Sequence, residues 1–250
     1  MTTLAQKTDL FTMLLRLGDD NLVLAQRLGQ WISWGPDLEE DIALGNLALD
    51  HLGVARACFQ YAADTEATDR TEDDLAFLRS ERQFTNLVLC EQPNGDFATT
   101  MIRQLFTDAY HGIVWDRLSA SSDERLSGIA AKAVKETAYH LRHSSGWVVR
   151  LGDGTDESHR RTRAAVASLW KYVGELFVAD PLTESFLGST LEMEATWRRT
   201  VGAVLRDAGL TLPEPEPTRL DGRGGIHSEH LGHLLAEMQW MQRTYPGMTW

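Results

Sequence analysis

Apolar residues recur at three- and four-residue steps along almost the whole chain, and the alternation of a half-buried strand is nearly absent, so the pattern predicts helices throughout. A short helix over about 4–17 is interrupted at Gly18. Asp19 to Trp34 is amphipathic, with Leu22, Leu24, Ala25, Leu28 and Ile32 as its core side. Gly35-Pro36 breaks it, and Pro36-Asp37 followed by Glu39 and Glu40 suits the start of the next helix. That helix runs to about Thr65. It is apolar nearly all round (Ile42, Leu44, Leu47, Leu49, Leu52, Val54, Phe59), which marks a central element. The acidic linker DTEATDRTEDD leads into a helix from about Thr71 to Cys90, and QPNGD is a turn. A helix over about 97–120 follows, and SSDE caps another over about 123–151. After the turn GDGTDES come helices over about 157–178 and 183–208. TLPEPEPTRLDGRGG is a loop, Ser228 N-caps a last helix to about Arg243, and PGMTW is the tail.

The helices 19–34, 37–65, 97–120 and 123–151, joined through a long crossover at 71–90, match an up-down bundle with one long connection. The expected fold class is all-α: a single ferritin-like domain over 1–250, with its core bundle at about 19–151 and additional C-terminal helices over about 155–243.

Composition narrows the partners. With 43% hydrophobic residues spread along 250 positions, a sizeable core is available. A formal net charge of −12 argues against nucleic acid and anionic membrane surfaces. No apolar run reaches membrane-spanning length. The first twenty residues lack the basic start and cleavage site of a secretory signal. Cys58 and Cys90 fall on mostly apolar helical stretches, which suits free buried thiols in a reducing cytoplasm.

Three carboxylates stand out. Asp50, Asp108 and Glu136 each lie in the middle of a long apolar helix, about where a four-helix di-iron protein places a metal-binding carboxylate. Such a centre takes a carboxylate from each of two helices and a Glu-x-x-His pair from each of the other two. Three residues after Asp50 stands Gly53, and three after Glu136 stands Tyr139. His140, four after Glu136, is rotated from the ligand direction by about 100°. Asp108 and His111 have the right spacing, but on the third bundle helix, where a lone carboxylate is expected. The first helix offers Asn21 or Gln26, amides that are weak ligands for iron. The ligand set is degenerate, so no metal, cofactor-binding or catalytic residue is assigned, and Glu136 is expected to pair with Lys132 or another cation.

The stretches GDDNLVLAQRLGQWISWGPDLEEDIALGNLALDHLGVAR, LAFLRSERQFTNLVLCEQPNGDFATTMIRQLFTDAYH, KAVKETAYHLRHSSGWVVRLGDGTDES and GIHSEHLGHLLAEMQWMQRTYPGMTW resemble the C-subunit family of bacterial phenylacetyl-CoA monooxygenases, the ring 1,2-epoxidases. The likeness covers nearly the whole chain and is weakest in the first dozen residues and around 180–220. It implies a ferritin-like structural subunit in a heterodimer with a homologous catalytic A subunit, which carries the di-iron, within a larger hetero-oligomer of aerobic phenylacetate catabolism. An autonomous di-iron oxygenase with unusual ligands (Asp50, Asp108, Glu136 and His140 or His111) is the alternative. A helical storage or scaffolding protein is a third.

Other features have plainer readings. His227, His230 and His233 recur at three-residue steps but drift around a helix, which suits hydrogen bonding better than one shared ion. The tryptophans at 31, 34, 115, 147, 170, 197, 240 and 250 suit core or subunit contacts. Arg79, Glu81 and Arg82 suit a solvated face.

Overall fold

The computed structural model describes residues 4–66 and 68–248, which form two compact units: 1–93 with 220–250, and 94–219. The tail's Trp250 and the linker's Ala67 lie outside the described residues. Among the described residues the regular structure is helical, with one isolated bridge between Asp221 and Ile226. The order is helical hairpin, long connection, second hairpin and outer helices, the all-α ferritin-like order of elements.

The first unit is built on α1 (Leu4–Gly29) and α2 (Leu38–Glu66), which pack along their lengths. Gly18 does not break α1. A Cβ there would lie on the Phe59 ring of α2, so glycine serves a close helix contact. The helix ends at Gly29, short of Trp34, and Ser33 takes a left-handed turn at φ 72°.

The crossover departs most from expectation. Only α3 (Glu72–Phe77) is helical, followed by a 3₁₀ turn at Glu81–Gln83 and an irregular run to 92. Thr71 and Asp74 form a reciprocal cap at the start of α3. Beyond it, Leu87, Val88, Leu89 and Cys90 are all buried, so the run has no polar side to turn to water. Its backbone groups are satisfied from outside, as buried amides must be. Thr85 N donates to Asp19 Oδ2 (2.8 Å) and Leu87 N to Asp20 Oδ1 (2.8 Å). Gln239 Nε2 donates to the carbonyls of Ala76 (3.2 Å) and Arg79 (3.0 Å). Arg79 is buried and paired with Asp19, contrary to the solvated face expected of it, whereas Glu81 and Arg82 are exposed. Arg223 pairs with Asp20 (2.8 Å) and also donates to Thr85 O (2.8 Å). The C-terminal α9 (Glu229–Thr244) completes this unit against α3 and the 3₁₀ turn.

The second unit is built on α4 (Phe97–Ser119) and α5 (Glu124–Gly152). Asp96 and Asp123 cap them, each accepting from the N–H three residues on at 2.9 Å. The expected helix 157–178 becomes α6 (Asp156–Leu169) and a 3₁₀ stretch, Trp170–Phe177. The expected helix 183–208 divides into α7 (Pro181–Leu187) and α8 (Thr190–Asp207) at Gly188, whose φ is 70°. Trp115, Trp170 and Trp197 are buried here, and Trp197 Nε1 donates to Phe106 O at 2.8 Å.

Candidate functional site

The carboxylates singled out by sequence are not buried alike. Asp108, midway along α4, is buried, whereas Asp50 on α2 and Glu136 on α5 are only half-buried. Gly53 is also half-buried, and Tyr139 is 42% exposed. Glu136 Oε1 meets Lys132 Nζ at 3.2 Å, the pairing expected. Lys132 is 67% exposed, so this is a surface ion pair of small worth.

The buried seam of α5 runs one residue away from Glu136. It consists of Leu126, Ala130, Ala133, Thr137, His140, Ser144, Val148 and Gly152. His140 is therefore on the buried face, and the residue three before it is Thr137. On α2 the buried face includes Ala48 and His51, again three apart, and misses Asp50. Both helices thus present an i, i+3 pair whose second member is histidine and whose first is not a carboxylate.

In the first unit, His51 Nδ1 lies 2.7 Å from Asn21 Oδ1. The Asn21 amide donates to Leu17 O at 2.8 Å, which turns its carbonyl oxygen towards the ring. Nδ1 of His51 therefore donates to the Asn21 carbonyl oxygen, which fixes the orientation of the ring.

In the second unit, the Ser144 hydroxyl donates to Asp108 Oδ2 at 2.8 Å. Burial pushes the Asp108 carboxyl up to about 8; the Ser144 hydrogen bond and then the charge of buried Arg103 oppose it only in part. At neutral pH Asp108 is held mainly as the neutral acid.

A carboxylate-bridged di-iron centre needs four carboxylates and two histidines, the carboxylates ionised. The buried faces offer Asn21, Ala48 and Thr137 where carboxylates belong, and Asp108 is the one carboxylate among these four positions. This donor set does not fit a di-iron centre. Glu136 and Asp50 attract attention in the sequence because an acid stands out in an apolar helix. The step from Ala130 to Ala133, Thr137, His140 and Ser144 is the signal in the sequence for the true seam of α5.

The histidine triplet does not converge. The His227 side chain is fully buried, with Nε2 donating to Phe84 O (2.9 Å) and Nδ1 facing Glu91 Oε2 (2.9 Å). Glu91 also accepts from Asn86 Nδ2 (2.9 Å) and Ser228 N (2.6 Å), so His227 belongs to a buried hydrogen-bond network that ties the start of α9 to the crossover. Ser228 stands at the N-cap of α9 but makes no side-chain cap bond, and His233 is exposed. Cys58 and Cys90 are buried free thiols, with Cys58 pushed up to about 12 by burial and then by Asp19. Among the described residues, no helix is long and apolar enough to cross a membrane.

Comparison with known proteins adds a family. The family described as phenylacetic acid catabolic protein matches residues 1–250. The chain is 48% identical over 241 residues to the C subunit of the 1,2-phenylacetyl-CoA epoxidase of Escherichia coli (strain K12), a match that covers 94% of this chain and 97% of that protein.

Proposed function

The chain belongs to the phenylacetic acid catabolic protein family, and from that premise we propose that it is the structural, non-catalytic subunit of a cytoplasmic phenylacetyl-CoA 1,2-epoxidase complex. It pairs with and stabilises a homologous di-iron catalytic subunit, and contributes no metal ligand of its own.

The observation that carries this reading is the donor set of the buried helix faces. Asn21, Ala48 and Thr137 cannot supply the anionic oxygens of a carboxylate-bridged centre, and of the four interior positions Asp108 alone is a carboxylate. The surrounding scaffold is nonetheless kept, with capped helices and hydrogen bonds around His51 and Asp108. A bundle that keeps its form without the ligands suits a partner better than a catalyst.

The test is phenylacetyl-CoA-dependent O₂ uptake, with an electron donor supplied. The purified chain alone is expected to give none, and co-expression with the host's other epoxidase subunits is expected to restore it. O₂ uptake by this chain alone would favour the autonomous oxygenase and overturn the proposal.

A further inference from the structure

Helix α2 has two apolar faces. The inner one, including Leu44, Leu47, Val54 and Phe59, is buried. The outer one is not: Leu38, Ile42 and Leu49 are 70%, 56% and 65% exposed. With Gly45 they lie within about 60° of one another around the axis, at 100° per residue. Gly35 packs against the first turn of α2, its N–H donating to Asp41 Oδ1 at 3.1 Å, which holds Trp34 (78% exposed) at the N-terminal end of the stripe. A helix apolar on nearly all sides is one that is covered on all sides in the assembled protein.

Gly45 points the same way. Glycine inside a helix destabilises it relative to alanine. Among the described residues nothing lies within 4 Å of the position a Cβ would take at Gly45, so no contact among them calls for its absence. A helix of another chain crossing closely at this point would.

Charge selects the occupant. No Lys or Arg occurs from Asp37 to Ala55, and Asp37, Glu39, Asp41 and Asp50 border the stripe. Pairing with the same face of a second copy would bring these acids together, which is unfavourable. The four exposed side chains present on the order of 500 Å², more than half of the roughly 800 Å² per partner of a standard interface.

Taking the chain as a subunit of an epoxidase complex, we propose that the face formed by Trp34, Leu38, Ile42, Gly45 and Leu49 docks an apolar helix of a companion subunit whose flanks carry Lys or Arg. The glycine admits the close crossing, and the acidic border fixes its orientation.

The test is capture of the host's other epoxidase subunits, co-expressed with this chain carrying an affinity tag, using wild type, Ile42→Asp, Gly45→Leu and Gly45→Ala. Both positions are open to solvent or space, so each variant alone is expected to keep wild-type helicity, with Gly45→Ala melting no lower than wild type. Ile42→Asp and Gly45→Leu are expected to lower affinity for the companion at least tenfold. Folded variants that capture it at wild-type yield would overturn the docking face while leaving the subunit reading intact. A wild-type chain that captures no companion would overturn both. If wild type alone dimerises and Ile42→Asp makes it monomeric, the occupant is a second copy and the proposal is wrong.

Discussion

Replacing Asp108 by Asn should stabilise this protein, and increasingly so as the pH rises. The Asp108 carboxyl is raised by burial from its ordinary value of 3.8 to about 8. Between those values the folded chain keeps a proton that the unfolded chain has lost, so stability falls as pH rises across the window and levels off above it. About four units at 1.36 kcal/mol each set an upper limit near 5–6 kcal/mol at pH 8 and above. The Asn carbonyl can still accept from Ser144, but its amide adds a donor that needs a partner, costing about 1–3 kcal/mol if unmet. The net gain for Asp108→Asn is then at most about 2–5 kcal/mol at pH 8, and by pH 4 it has shrunk to nothing or turned into a loss of up to about 1–3 kcal/mol. Denaturant melts of both proteins at half-unit steps from pH 4 to 9 measure the gap directly. A gap that stays constant with pH, or that closes as pH rises, would refute a neutral buried Asp108.

Two further substitutions probe the packing. Asp19→Ala removes the partner of buried Arg79 and the acceptor of Thr85 N–H; it should cost about 3–5 kcal/mol, and Asp19→Asn should cost less, as read from urea midpoints. Gly18→Ala places a Cβ on the Phe59 ring and should cost about 1–3 kcal/mol, part of it recovered in the double variant Gly18→Ala with Phe59→Leu.

Much of the architecture was legible in the sequence for local reasons. α2, α4, α5 and α9 begin and end within about a residue of where caps and apolar periodicity put them. Asp96 and Asp123 are N-caps with side-chain bonds in place. The failures also have physical causes. Gly18 reads as a break by propensity, but the Phe59 ring packed against it gives the glycine a use inside a continuous helix. Residues 78–92 have helix-like composition, yet their backbone is satisfied by Asp19, Asp20, Gln239 and Arg243, partners far away in sequence. Arg79 looked like a surface charge for the same reason. At the candidate site, Asp108 is buried as an interior carboxylate should be. The face of α2 was obscured because that helix is apolar on both sides, so periodicity could not choose between Asp50 and His51. On α5 the seam was readable, but Glu136 drew the register one residue away from Thr137 and His140.

The most direct test of the central claim is the metal content of each chain, measured by elemental analysis after this protein is co-purified with its companion subunits and the chains are separated under conditions that retain bound iron. Iron is expected in a companion chain, with well below one iron per copy of this chain, unchanged by Asp108→Ala or Glu136→Ala. Two irons per copy of this chain, lost on Asp108→Ala or Glu136→Ala, would contradict it.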